Sequence, residues 1–165
     1  MEESLNEKGT EPGAGESQRE NGSFLGQIRN LFGLPEVDAS MLSPLVLAYI
    51  GDGVYEMAVR TILVSGGNIP VNKMNAKASC IVRASAQAAI IHAVADELTE
   101  EEAAVYRRGR NAKSYTVAKN ATMSDYRHAT GLEALCGYLY LKESYGRLLF
   151  LLKSGMTRTN ILEEL

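Results

Sequence analysis

The chain has 165 residues, a formal net charge of −3, 45% hydrophobic residues and 22% charged residues, the balance of a single globular domain. It has no run of about 18 apolar residues and no apolar segment near its N-terminus, which excludes a membrane-spanning helix and a secretory signal. Residues 1–23 contain six glutamates against Lys8 and Arg19, a net charge of −4, so the other 142 residues sum to +1 and are compatible with a nucleic-acid partner. We expect a cytoplasmic protein with no membrane partner.

The N-terminal part of the chain predicts a tail followed by one short helix. Residues 1–23 are rich in Glu, Gly, Ser and Asn, which predicts a disordered acidic tail. Residues 24–40 begin with apolar side chains at helical spacing, which Gly33 and Pro35 end, so we assign them to a short helix and a linker. The main domain is expected over residues 41–155, with a C-terminal tail over residues 156–165.

The first half of the main domain predicts helices. Ser43 and Pro44 are an N-cap followed by proline at the first helical position, which predicts a helix over residues 44–65. Residues 71–95 are rich in alanine and predict one helix or two joined helices. The sequence TEEE from Thr99 is a capping box that opens a helix ending near Arg108.

The second half of the domain predicts helices as well. Residues 109–123 are polar and predict an irregular loop. Ser124 or Asp125 is the expected cap of a helix that ends near Lys142, and a last helix is expected over residues 143–154. No segment alternates apolar and polar residues as a half-buried strand would, so the sequence predicts an all-α domain.

Carboxylates stand in two otherwise apolar helices. Asp52 and Glu56 lie four residues apart in LAYIGDGVYE, on one helical face, and Glu133 lies in the apolar run GLEALCGYLYL. A buried charge is costly unless something compensates it. The compensation is either a cationic side chain, such as Arg60 or Arg127, or a metal ion. Carboxylates suit Mg²⁺, which takes oxygen ligands and keeps several waters.

Basic residues cluster downstream, in RRGRNAKSYTVAK. This cluster contains no acidic residue, and Gly109 and Asn111 predict a flexible loop that is suited to phosphate contacts. A solvated run of charges is the alternative interpretation. Lys73 and Lys77, on a preceding helix, would extend the same surface. The basic side chains of the cluster are Arg107, Arg108, Arg110, Lys113 and Lys119.

Other common catalytic machinery is missing from the sequence. There is no phosphate-binding glycine loop and no GxSxG, CxxC or HExxH motif. Asp125 and His128 are three residues apart, but nothing joins them into a metal site. Cys80 and Cys136 have no metal-ligand spacing and are expected to be reduced core residues. These patterns fit a metal-dependent phosphodiesterase acting on nucleic acid, and equally a plain RNA-binding module.

Four short motifs, in order along the chain, resemble the ribonuclease III family. LAYIGDGVYE (residues 47–56) is similar to the family's signature helix, and EALCGYLYL (133–141) to the element that carries its last catalytic glutamate. CIVRASAQA (80–88) and RRGRNAKS (107–114) resemble stretches of the Mini-ribonuclease III branch, which has no double-stranded-RNA-binding domain. The resemblance covers residues 42–152.

The resemblance implies an all-α, ribonuclease III-like helical endonuclease domain that works as a homodimer. It implies Mg²⁺-dependent hydrolysis of double-stranded RNA to 5′-phosphate and 3′-hydroxyl ends, with precursor 23S ribosomal RNA as substrate. A ribosomal protein is our candidate for a stimulating partner, on which the sequence itself is silent. Asp52 and Glu133 match the catalytic, metal-binding carboxylates, and Glu56 is our candidate for a further metal ligand. The expected RNA contacts are Arg108, Arg110, Asn111, Lys113, Lys73 and Lys77.

Two of the family's carboxylates are absent. Ala48 stands where the family has a glutamate, four residues before Asp52, and Thr130 stands where it has an aspartate, three residues before Glu133. Their loss favours the alternative of a protein that binds double-stranded RNA in ribosome assembly without cutting it. The retained Asp52 and Glu133 favour the enzyme. The number of metal ions per site stays open.

Overall fold

The computed structural model describes residues 22–113 and 121–165. Over these ranges the chain forms α-helices and three short 3₁₀ turns and contains no strand, which confirms the all-α prediction. No helix in these ranges is long and apolar enough to cross a membrane. The α-helices are α1 (Phe24–Phe32), α2 (Pro44–Ser65), α3 (Val71–Val82), α4 (Ala84–Ala93), α5 (Glu100–Asn111), α6 (Met123–Leu141) and α7 (Tyr145–Arg158).

The chain divides into two compact units between Leu34 and Pro35. The first unit contains α1, which begins after Ser23 and ends at Gly33 in the left-handed conformation, as the sequence predicts. The predicted acidic tail lies outside the described residues except for residues 22 and 23. The second unit, residues 35–165, contains α2 to α7 and the candidate site.

The second unit is built around α6. This helix packs against α2, α4, α5 and α7, and residues 129–132 and 134–139 are all buried. A helix that is covered on every side belongs at the centre of a domain. Leu132 and Leu135 pack in one core with Leu47, Tyr55 and Val59 of α2. Burial of a leucine contributes about 1.5–3 kcal/mol, so this contact is a main source of stability.

Two glycines let α2 and α6 touch through their backbones. A Cβ added to Gly51 would lie 1.7 Å from the carbonyl oxygen of Glu133, and one added to Gly137 would lie 2.0 Å from that of Leu47. Only glycine fits at such distances, because any side chain would push the helices apart. The crossing places Asp52, the residue after Gly51, beside the segment that carries Glu133.

An ion pair attaches α7 to the start of α5. Arg147 donates to both carboxylate oxygens of Glu102 at 2.8 Å and to the carbonyl oxygen of Glu97 at 2.6 Å. The same glutamate completes the predicted capping box with Thr99. The hydrogen bonds from Arg147 lower the pKa of Glu102, so this buried carboxylate is charged and paired.

The boundaries of four helices, α3, α4, α6 and α7, refine or correct the prediction. Residues 71–95 form two helices, because the chain turns at Arg83, where ψ is 150°. Thr122 caps α6 by accepting from the backbone N–H of Asp125, so the prediction of Ser124 or Asp125 as the cap is wrong. The last helix starts at Tyr145 and runs four residues past the predicted end.

The basic cluster is more helical than predicted. Arg108 lies in α5 as predicted, but the helix runs on to Asn111, so the prediction of a flexible loop is wrong for Arg110 and Asn111. The helix continues because Gly109 packs on α6, where an added Cβ would lie 2.7 Å from that of Ala134. Lys119 lies outside the described residues.

The two cysteines have different surroundings. Cys136 is buried in α6, as predicted, whereas Cys80 is exposed on α3, so the prediction of a core residue is wrong there. The predicted burial rested on apolar neighbours in sequence, and Cys80 lies on the outer face of its helix.

Candidate metal and RNA site

Asp52 is an exposed carboxylate, and no cationic side chain in the described ranges pairs with it. Its surroundings partly desolvate the carboxylate, and Glu56 adds a like charge, and both effects raise its pKa. No arginine or lysine of the described residues forms an ion pair with it. Arg60, a predicted partner, pairs with Glu56 instead. The charge of Asp52 is therefore available to a ligand.

Glu133 is the more buried of the two carboxylates. Burial raises its pKa to about 7, the charge of Asp52 adds to the rise, and a hydrogen bond from Gln87 opposes it. Gln87 Nε2 donates to Glu133 Oε1 at 3.2 Å. Arg127 forms no ion pair with Glu133 among the described residues. Asp52 thus lies close enough to raise the pKa of Glu133, and no basic side chain of residues 22–113 and 121–165 forms an ion pair with either carboxylate.

This arrangement predicts that Glu133→Gln stabilises the metal-free protein at alkaline pH. The pKa of Glu133 rises from 4.5 to about 7 on folding, so the folded state holds a proton there that the unfolded state loses. Stability contributed by this group therefore falls as pH rises from about 4.5 to 7 and stays low above it. We expect the variant to gain about 1–3 kcal/mol over wild type at pH 8.

Urea unfolding in EDTA at pH 5 and pH 8 measures this effect. At pH 5 the glutamate of the folded state is protonated and that of the unfolded state is only partly ionised, so the difference in unfolding free energy between the variant and wild type should shrink to less than about 1 kcal/mol. A variant that is less stable than wild type at pH 8 would contradict the prediction, because it would mean that the Glu133 carboxylate is favourably paired in the folded protein.

The donor set fits a hard divalent cation. Asp52 and Glu133 offer only oxygen atoms, and their unbalanced charge is the kind that Mg²⁺ or Mn²⁺ compensates. The described residues contain no cluster of three or more His, Cys, Asp or Glu side chains at metal-binding distance. A cation held by these two carboxylates would therefore take its other ligands from water and substrate.

Glu56 is occupied by a different contact. Its Oε2 accepts from Arg60 Nη2 at 3.1 Å, and the pair lines a depression of about 200 Å³ with Asn75 and Ser79 of α3. Arg60 already balances the charge of Glu56, so Glu56 would have to leave this ion pair to bind a metal ion. Its role as a further metal ligand stays a prediction.

The positions of the two missing family carboxylates are buried. Ala48 and Thr130 are 6% and 7% exposed, respectively. The Thr130 hydroxyl donates to the backbone carbonyl of Tyr126 within α6. Ala48 has no polar group, and the Thr130 hydroxyl is hydrogen-bonded within its own helix, so neither position leaves an unpaired charge in the core.

Two shallow depressions flank the end of α5, with volumes of about 480 and 450 Å³. Asn111 lines both of them, and no arginine of either depression forms an ion pair with a described carboxylate. We call their polar lining the basic surface. It consists of Arg107, Arg108, Arg110, Asn111, Ser124, Arg127 and His128.

The other predicted RNA contacts lie apart from these depressions. Lys113 is exposed just after α5, and Lys73 is exposed on α3. Lys77 Nζ donates to the backbone oxygen of Leu165. The structure therefore groups Arg108, Arg110 and Asn111 and does not bring the two α3 lysines into the basic surface.

Sequence reasoning did not predict the roles of three residues of this region. Arg127 and His128 complete the second depression, and the ring nitrogen Nδ1 of His128 shares a hydrogen bond with the hydroxyl of Tyr106. Gln87 contacts Glu133. A signal for Gln87 was present, because it occupies the first place of the helical pattern that continues with the buried Ile90, Ile91 and Val94.

Comparison with known proteins identifies relatives over the same residues. The Ribonuclease III domain family matches residues 45–144. Mini-ribonuclease 3 of Thermoanaerobacter sp. (strain X514) is 45% identical over 126 residues, covering 76% of this chain and 89% of that protein. Mini-ribonuclease 3 of Clostridium tetani is 49% identical over 112 residues, covering 67% of this chain and 74% of that protein. The crystal structure of a Fusobacterium nucleatum protein aligns with a TM-score of 0.64 at 27% identity, covering 70% of this chain and 93% of that one.

Proposed function

The chain belongs to the ribonuclease III family and is an endoribonuclease, and we propose that it cuts double-stranded RNA with Mg²⁺ held by Asp52 and Glu133. The observation that carries this proposal is that the α2–α6 crossing brings Asp52 beside the segment that carries Glu133, and that neither carboxylate forms an ion pair within the described residues. Family-wide use of a divalent metal agrees with an oxygen-only donor set.

The reaction is hydrolysis of a phosphodiester. A bound divalent cation supplies charge neutralisation at the phosphate and lowers the pKa of water. Water attacks phosphorus in line, the bond from phosphorus to the 3′-oxygen breaks, and that oxygen takes up a proton. The products have 5′-phosphate and 3′-hydroxyl ends. Asp52 and Glu133 hold the charge that positions the cation, and no side-chain nucleophile is needed.

The basic surface is our candidate for the duplex-binding face. A-form RNA is recognised through its shape, its phosphates and its 2′-hydroxyls, and unpaired arginines suit phosphate contacts. Arg110 is held in place, because its guanidinium lies 5.6 Å from the centre of the Tyr106 ring and its Nε donates to Asn111 Oδ1 at 3.1 Å. We include Lys113, Lys73 and Lys77 as additional contacts to a long duplex.

We further propose that the protein works as a homodimer on the ends of precursor 23S ribosomal RNA, with a ribosomal protein as a candidate stimulator. The resemblance to the Mini-ribonuclease III branch supports the substrate. The exposed apolar side chains of Val46, Tyr49 and Met57, which are 49%, 85% and 62% exposed on one face of α2, support a partner subunit.

A cleavage assay on end-labelled RNA tests the proposed function. The substrates are the paired stem of precursor 23S RNA, an unrelated duplex of equal length, and one strand of that stem, each with Mg²⁺ or EDTA. We expect cutting of both duplexes only with Mg²⁺, with the precursor stem cut faster. Cutting of the single strand at the same rate, or cutting in EDTA, would contradict the proposal.

We expect Arg108→Gln to weaken duplex binding without slowing the chemical step. The logarithm of the binding constant falls linearly with the logarithm of the salt concentration, and each lost phosphate contact makes that slope less steep by about 0.9. We expect binding at 0.1 M salt to weaken by about threefold to tenfold. The maximal cleavage rate at saturating RNA should change less than about twofold.

Fluorescence anisotropy of a labelled duplex in EDTA, over a salt series, measures this prediction. Lys153→Gln is the matched control, since it removes one charge from an apolar groove that Ile62 and Leu149 line. Equal losses of affinity and slope in the two variants would show that only net charge matters and that Arg108 makes no specific contact.

A further inference from the structure

Gln87 is a buried polar side chain that touches a proposed metal ligand. It is 2% exposed on α4, and its Nε2 donates both to the carbonyl oxygen of Val82 at 2.9 Å and to Glu133 Oε1 at 3.2 Å. Glutamine is mostly found at protein surfaces. Its burial here therefore calls for a physical reason.

The break between α3 and α4 fixes the orientation of this amide. Carbonyl groups in the last turn of a helix have no partner within that helix, and side chains satisfy two of them at the end of α3. The Tyr55 hydroxyl donates to the carbonyl of Ile81 at 2.9 Å, and Gln87 donates to that of Val82. The Val82 carbonyl and the Glu133 carboxylate are both acceptors and both need a donor. The amide of Gln87 therefore turns its nitrogen, rather than its oxygen, toward Glu133.

The other end of the amide has no partner. Gln87 Oε1 is buried and accepts no hydrogen bond within the described residues. A buried acceptor without a donor costs about 1–3 kcal/mol, and an apolar side chain of similar size would avoid that cost. The gain from glutamine at this position is thus more than packing, and within the described part of the chain the charged group to which it donates is Glu133.

We propose that Gln87 is a positioning residue, which holds the Glu133 carboxylate in the orientation that binds the metal ion. The inference rests on the proposed metal role of Glu133. A donor behind a ligating carboxylate restricts its rotation, so less conformational entropy is lost when the ion binds. Its unpaired Oε1 is left to accept from water in the site.

The test compares wild type with Gln87→Met, which keeps the length and volume of the side chain and removes the amide. Mn²⁺ is the probe, and its binding is measured by electron paramagnetic resonance and by the shift that it causes in the unfolding temperature. We expect the Mn²⁺ affinity to fall about tenfold. Duplex binding in EDTA should not change, and cleavage at saturating metal should largely recover.

Ile90→Val is the matched control, since it weakens the packing of the same helix by about 0.5–1.5 kcal/mol without touching Glu133. Gln87→Asn is a second variant in case the Gln87→Met protein does not fold. It keeps the amide on a side chain that is too short to reach both Val82 and Glu133. A loss of Mn²⁺ affinity in Ile90→Val equal to that in the Gln87 variants would overturn the inference, because it would follow from stability alone.

Two further outcomes separate this inference from the function on which it rests. If wild type binds Mn²⁺ and cuts the duplex while Gln87→Met and Gln87→Asn match it, the positioning role is wrong and the proposed function stands. If wild type itself neither binds Mn²⁺ nor responds to Mg²⁺ in the cleavage assay, both are wrong.

Discussion

Asp52→Asn and Glu133→Gln are each expected to lower the rate of duplex cleavage on the order of 10³-fold. Either change keeps the size of the side chain and removes one of the two negative charges at the α2–α6 crossing. A metal ion at a phosphoryl centre contributes several kcal/mol to the transition state, and about 4 kcal/mol corresponds to that factor. Glutamine at position 133 can still accept from Gln87, so the loss is one of charge rather than of local structure.

Single-turnover cleavage of the labelled precursor stem measures this effect, with duplex affinity in EDTA as the control. Both variants should bind the duplex as wild type does, because neither residue belongs to the basic surface. Retention of more than about one tenth of the wild-type rate in either variant would remove that residue from the metal site. Equal binding without cutting in all three proteins would contradict the proposed mechanism.

The Glu56→Gln variant shows whether two carboxylates hold the metal ion or whether Glu56 is a third ligand. The ion pair with Arg60 indicates that its charge is already balanced. If the Mg²⁺ concentration for half-maximal cleavage does not change in this variant, Asp52 and Glu133 hold the ion by themselves. A clear increase would show that Glu56 leaves Arg60 when the ion binds.

Features that depend on neighbours in sequence could be predicted. The Ser43–Pro44 start of α2, the Thr99 capping box of α5 and the glycine end of α1 are local, because each satisfies backbone groups within one turn of a helix. The unusual carboxylates could also be recognised, since a charge within an apolar run stands out without knowledge of the fold. Glu133 is indeed half-buried, whereas Asp52 is exposed.

Features that depend on contacts between distant helices could not be predicted. No glycine or proline marks the turn at Arg83, which lets Gln87 reach Glu133 from another helix. Gly109 indicated a loop in sequence, yet it is the residue that allows α5 to continue along α6. In each case tertiary packing outweighs a local preference of about 1 kcal/mol.

Gly51 and Gly53 of α2 have opposite surroundings, crowded at the first and open at the second. We expect Gly51→Ala to destabilise the protein by about 3 kcal/mol or more, the upper end of what overpacking costs and a large part of the stability of a small domain. The added Cβ would lie 1.7 Å from the Glu133 carbonyl oxygen and 2.6 Å from its carbonyl carbon. Backbone atoms cannot rotate away as a side chain can, so α2 and α6 would have to separate.

Gly53→Ala, two residues along the same helix, should act in the opposite direction. No atom lies within 4 Å of a Cβ added to Gly53, so alanine is expected to stabilise α2 by about 0.5–1 kcal/mol through its higher helix propensity. Urea unfolding of both variants in EDTA gives the comparison, and similar unfolding midpoints would show that the helices have room at Gly51. The opposite signs follow from one difference. The backbone of α2 touches α6 at Gly51 and is free at Gly53, and that contact brings Asp52 to Glu133.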